Sequence, residues 1–296
     1  MSSAPFPSDL PPDAPTLSPA MKAAGLVTIV GFGSLLSRRS AGATFPHLRN
    51  FRPGLLRGHR RVFAHVAAIF VERGIANVET KEMSSLSVEP CADAADLVVC
   101  LFEIPLSDLP AFYQREQEFR WAFVPAYGLD GQVDRDAVDG QALACLAYSD
   151  EEYKRVRLGG SAEAFEQAYG RFRLTRVWRD DILPCPVYLR HVVLAAANFD
   201  RETGSIDRGE AARREEWSIE EASGKVAAAA AAAAPSSDDA IVTPTRVSLP
   251  SGRVLSSFLD CTFLGDRSTS IRAYLRRHPQ VLMAQPPELL KSRYSG

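Results

Sequence analysis

Two short stretches of this sequence combine residue types that could do chemistry. The first is "VTIVGFGSLL", residues 27 to 36, where a β-rich apolar run meets a Gly-x-Gly turn. The second is "FYQREQEFRW", residues 112 to 121, where Glu116 and Glu118 sit among four aromatic residues. A strand that ends in glycines leaves its main chain bare, so amide N–H groups can approach an acceptor. A carboxyl among aromatic rings is partly desolvated if it faces inward, and desolvation makes a carboxylate a better base. An exposed helix end, with Arg115 and Arg120 flanking two solvated glutamates, fits the same composition.

The glycine turn fails two familiar templates. A dinucleotide fingerprint needs Gly-x-Gly-x-x-Gly, an amphipathic helix and then an acid. Here Leu36 stands at the third glycine position, "SRRSAGATFPH" is short and polar, and no acid occurs between Leu26 and Glu72. A nucleophile elbow needs Gly-x-Ser-x-Gly, whereas Ser34 follows Gly33 directly. What remains is a loop that recognises a small polar group and needs a proton-handling partner. The glutamate stretch is the best partner the sequence offers.

Elsewhere the sequence excludes more than it proposes. Its 34 basic and 36 acidic residues leave a formal charge of -2, so no broad field for nucleic acid or an anionic membrane is expected. The basic run "RNFRPGLLRGHRR", Arg49 to Arg61, reads as a solvated loop before the strand "VFAHVAAIF". The five cysteines lack Cys-x-x-Cys spacing and the five histidines lack i, i+4 spacing. No metal site or disulfide framework is therefore expected; reduced thiols in a cytoplasmic setting are. The histidines read as surface or satisfied core residues. No apolar run reaches the ~18 residues of a membrane span.

Around these stretches, the runs "LVTIVGF", "DLVVCLFEIP", "RWAFVPAY" and "QALACLAYS" read as strands. "LSDLPAFYQREQEF", "SAEAFEQAYGRF" and "PVYLRHVVLAAANF" read as helices, the first with Ser107 as N-cap. That mixture predicts an α+β fold with a mixed or barrel-like sheet and surrounding helices. Residues 1–25 read as a disordered tail and 26–200 as the main domain. Residues 201–252, with the alanine run Ala227 to Ala234, read as a low-complexity insertion. Residues 253–296 form a C-terminal segment that packs back, with Asp266 or Ser268 capping a helix that stops before Pro279.

Taken in order, "GFGSLL", "PGLLRGHRRVF", "VVCLFEIP" and "FYQREQEF" resemble the γ-glutamyl cyclotransferase-like family, and most closely its ChaC-type, glutathione-specific members. The resemblance spans Val27 to Ser149. It implies a small mixed β-barrel with helices around it, acting on a small-molecule γ-glutamyl substrate. The implied reaction is conversion to 5-oxoproline and a free amine, with no cofactor or metal. By the same resemblance Gly31, Phe32, Gly33, Ser34 and Leu35 form the substrate loop, and Glu116 is the catalytic base. Glu118 stays an alternative, since a neighbouring branch of the family has a Glu-x-Glu spacing. Phe32 departs from the usual Tyr of the loop, and the C-terminal part has no matching counterpart. A non-catalytic relative that binds a small acidic metabolite or a partner protein is the rival expectation.

Overall fold

A computed structural model describes residues 10–204, 214–219, 245–250 and 252–296. Along the chain the elements are α1 (Pro19–Ala24), β1 (Leu26–Gly31), α2 (Arg38–Thr44), β2 (Arg49–Leu56), β3 (His59–Val66) and α3 (Ala68–Glu72). There follow β4 (Glu82–Pro90), β5 (Leu97–Pro105), α4 (Leu109–Arg115), β6 (Arg120–Pro125), β7 (Gln141–Leu146), α5 (Asp150–Arg157) and α6 (Ala162–Tyr169). The last are β8 (Leu183–Pro184), α7 (Pro186–Thr203), β9 (Arg214–Ile219), β10 (Thr245–Pro250), α8 (Arg253–Asp260), β11 (Thr262–Leu264) and α9 (Ile271–Arg277).

The α+β class expected from the sequence is the one observed. A five-stranded sheet runs β2-β5-β1-β7-β6, and a four-stranded sheet runs β11-β3-β4-β8. Both mix parallel and antiparallel pairs, and the strands curl into a half-barrel flanked by helices. Strand β5 lies between β1 and β2 and is buried along nearly its whole length, as its apolar run Leu97 to Phe102 requires. The Ala147 N–H donates to the Val88 carbonyl and ties the two sheets together beside the candidate site.

Several expectations need correction. Arg49–Leu56 is a strand, not a solvated loop, because β5 supplies its ladder and Arg52 pairs with Glu103 and Asp134 at 2.9 and 3.0 Å. The strand reading of "VFAHVAAIF" breaks at Ala67, where the chain turns into α3. The tail expected over 1–25 is ordered from residue 10. Helix α1 buries Met21, and Asp13 pairs with Arg157 at 3.0 Å and accepts from Tyr148. Residues 1–9 lie outside the described residues.

In the expected insertion, β9 and β10 pair antiparallel, Leu249 is buried, and α7 continues through Thr203. The alanine run and Trp217's side chain lie outside the described residues. The cap of α9 is Ser270, whose Oγ accepts from the Ala273 N–H. Asp266 instead accepts from the Ser268 and Thr269 N–H groups, closing the preceding turn.

Helix α8 docks through Val254, Leu255, Phe258 and Leu259, each fully buried. Gly252, before its first turn, offers no side-chain cap. Asp200 of α7 takes that role, accepting from the Val254 and Leu255 N–H groups at 2.9 and 2.8 Å.

Candidate active site

Strand β1 delivers the glycine turn to the edge of a cavity of about 140 Å³. Past Gly31 the chain makes a single 3-10 turn, Ser34–Leu36. Gly33 has φ -132°, so a left-handed conformation is not what requires glycine there. Close approach is: a Cβ on Gly33 would lie 2.8 Å from the Tyr188 hydroxyl oxygen. Gly31 is similarly crowded, 2.7 Å from the Leu35 Cβ, and it packs beneath the turn rather than lining the cavity. Phe32, Gly33, Ser34 and Leu35 do line it.

A charge with no acidic partner among the described residues braces this turn from below. Arg61 is fully buried; its Nε donates to the Phe32 carbonyl at 3.0 Å and its Nη2 donates to the Val98 carbonyl. Its Nη1 has no partner. Burial pushes its guanidinium down to about 10, against small opposing effects from Cys261 and Cys100. From the other side the Cys100 thiol donates to the Leu35 carbonyl at 3.1 Å.

The two glutamates reach the cavity by a route the sequence conceals. The helix expected through Phe119 ends at Arg115, and Ser107 does not cap it: Leu106–Asp108 is a 3-10 turn. Residues 116–119 form a tight turn into β6, with the Phe119 N–H donating to the Glu116 carbonyl at 3.0 Å. Trp121 Nε1 donates to the same carbonyl at 3.1 Å, and Arg157 Nη2 donates to the Phe119 carbonyl at 2.8 Å. A turn rather than a helix lets both Glu116 and Glu118 face one cavity; on a helix, residues two apart diverge.

Arg115 joins the two sequence stretches. Its Nε donates to Glu116 at 2.9 Å, its Nη2 to the Ser34 hydroxyl at 3.0 Å, and its Nη1 to Thr44 at 2.6 Å. Glu118 has a different company. One oxygen accepts from the Tyr169 hydroxyl at 2.7 Å; the other lies 3.1 Å from His65 Nε2, an ion-pair distance without the alignment of a hydrogen bond. His65 Nδ1 lies 2.6 Å from the Ser85 Oγ, and its ring packs 4.7 Å from both Phe119 and Trp178. Burial, and then Glu118, pushes the Tyr169 phenol up, so it is a neutral donor. Burial likewise pushes the Tyr188 phenol up, with Glu116 adding to the shift.

The arrangement offers two carboxylates, a buried imidazole and a glycine-bearing turn around one volume. Such a set can move a proton between two atoms of a bound molecule. Among the described residues no three His, Cys, Asp or Glu side chains gather to hold a metal ion, and no helix is long and apolar enough to cross a membrane.

His65, Ser85, Tyr169 and Tyr188 were not among the residues expected at the site. None lies near either motif in the chain, and only β3, β4, α6 and α7 packing around the cavity brings them in. The alternation of polar residues in "MSSLSVEP" was the one available hint for Ser85.

No family model matches the sequence, and no curated protein does. Solved structures with a similar chain include a glutathione-specific γ-glutamyl cyclotransferase from yeast, at 12% identity and a TM-score of 0.35, covering 58% of this chain and 87% of that one. Another γ-glutamyl cyclotransferase matches at 11% identity and a TM-score of 0.33, over 53% and 90%. An uncharacterised Homo sapiens protein matches at 12% and 0.32, over 53% and 90%. The similarity is distant, a likeness of fold over about half of this chain.

Proposed function

We propose that the cavity cyclises a γ-glutamyl compound to 5-oxoproline with release of the free amine. The observation that carries this reading is the meeting of the Gly33–Leu35 turn with Glu116 and Glu118 on one cavity, the turn and Glu116 being fastened together by Arg115. The order of motifs in the sequence supports it independently.

The chemistry asks little else of the protein. The substrate's α-amine attacks its own γ-carbonyl, forming one C–N bond and then breaking the other. The proton shed by the attacking nitrogen ends on the departing nitrogen. One carboxylate can make both transfers, a contribution of about 10²–10⁴-fold. Holding the substrate folded back on itself supplies a further proximity effect. We assign the base to Glu116 and orientation of the γ-glutamyl group to the turn.

One observation favours a second reading, a module that binds without turnover: Arg115 already occupies one oxygen of Glu116. The experiment that separates them is mass-spectrometric detection of 5-oxoproline from glutathione and other γ-glutamyl peptides and amines. Stoichiometric binding with no 5-oxoproline from any of them would leave the binding module.

A further inference from the structure

The charges around the cavity are not evenly placed. Three guanidinium groups line it: Arg73 just past α3, Arg115 at the end of α4, and Arg293 in the C-terminal segment. Only two carboxylates do, Glu116 and Glu118. Glu116 is held by Arg115, and Glu118 faces His65 and Tyr169. Arg73 donates to the Tyr294 hydroxyl at 2.8 Å, a neutral partner. Among the described residues, neither Arg73 nor Arg293 has a carboxylate at ion-pair distance. Two guanidinium groups, one past α3 and one in the C-terminal segment, therefore face the cavity without a carboxylate partner, and the lining carries one guanidinium more than it has carboxylates.

Two groups register that excess. The Arg293 guanidinium is pushed down by desolvation and then by Arg73 and Arg115, although the residue stands exposed at the cavity mouth. His191, also on the wall, is pushed down to about 4 by burial, and then by Arg115, Arg293 and Arg190. Unrelieved like charges around a concave surface attract an anion, and guanidinium forks suit a carboxylate's two oxygens.

We propose that Arg73 and Arg293 form an anion subsite that takes a carboxylate on the departing part of the ligand. The cavity then selects γ-glutamyl peptides that end in a free carboxylate over uncharged γ-glutamyl amines. The word "departing" rests on the cyclotransferase reading; the anion subsite does not.

The test uses γ-glutamylglycine and γ-glutamylglycinamide, which share a shape and differ by one charge. Binding of each is measured by calorimetry to the wild type, Arg293→Gln, Arg73→Gln, the double variant and Arg293→Lys. We expect about tenfold or greater preference for the acid in the wild type. That preference falls toward unity in the double variant and is partly kept in Arg293→Lys. Equal binding of acid and amide by the wild type, binding of neither, or a preference that survives in the double variant would overturn the subsite. Product analysis of the same samples separates the two claims. An acid preference without 5-oxoproline sinks the cyclotransferase reading and leaves the subsite standing. Equal turnover of both compounds does the reverse.

Discussion

Glu116 and Glu118 are two residues apart, share one cavity, and have different neighbours, so single substitutions can tell them apart. Glu116→Gln keeps the side chain's volume but cannot accept a proton. It should lower kcat for 5-oxoproline formation by about 10²–10⁴-fold while calorimetry still detects substrate binding. Glu118→Gln should keep most of the turnover; the opposite pattern would move the base to Glu118. At the turn, Gly33→Val should raise KM more than Ser34→Ala. The first displaces the Tyr188 hydroxyl, 2.8 Å from the new Cβ. The second removes one acceptor of Arg115, a bond to a charged group worth about 1.5–3 kcal/mol, and leaves three others. Equal KM values in a steady-state assay would mean that the turn only changes the chain's direction. The residue types at this site were legible: a bare backbone at Gly33 and carboxyls near aromatics. The reason for the glycine was not. The sequence suggests a bare backbone open to a ligand, whereas Tyr188, far along the chain, imposes a steric limit that only the folded molecule contains.

Elements whose ends are set locally carry the cause of those ends in the adjoining sequence, and those set by distant partners do not. Ser149 and Ser161 cap α5 and α6 through hydroxyls three residues from the amides they serve. Arg49–Leu56 carries the Arg, Gly and Pro of a loop yet forms β2, because β5 and two distant acids complete it. Likewise α4 stops at Arg115 because Arg120 onward must pair with β7. The cap of α8 is the sharpest case, since its acceptor belongs to another helix. Asp200→Ala would strand two buried N–H groups, at about 1–3 kcal/mol each when left unsatisfied. Urea denaturation should show a loss of about 2 kcal/mol or more, and Asp200→Asn should retain part of it. A loss below ~0.5 kcal/mol would mean that water or the helix itself satisfies those groups.

Across the molecule, His191 couples the cavity wall to the C-terminal segment, its Nδ1 accepting from the Gly296 N–H at 3.0 Å. Burial pushes its imidazole down to about 4, from an ordinary value of 6.5. Between those values the unfolded chain binds the proton and the native state does not. This group's stabilisation is therefore complete above about pH 6.5 and is lost as pH falls toward 4, with a slope near 1.4 kcal/mol per pH unit. From pH 7 to pH 5 the wild type should lose about 2 kcal/mol more than His191→Gln in chemical denaturation; parallel losses would place the proton elsewhere. The same segment has one more consequence. Helix α8 and the wall residues Arg293 and Tyr294 follow the paired strands β9 and β10, whose register ends at the Ile219↔Thr245 pair. Residues 220–244 lie outside the described residues, and a break in the polypeptide there would leave each described wall residue of the cavity on one piece or the other. Co-expressed pieces 1–219 and 245–296 should reassemble through the ladder, the apolar face of α8 and the Asp200 cap. Their mixture should recover ligand binding that neither half has alone, making the fold a natural split reporter whose signal is its own pocket; pieces that fail to co-purify would show that covalent continuity is required.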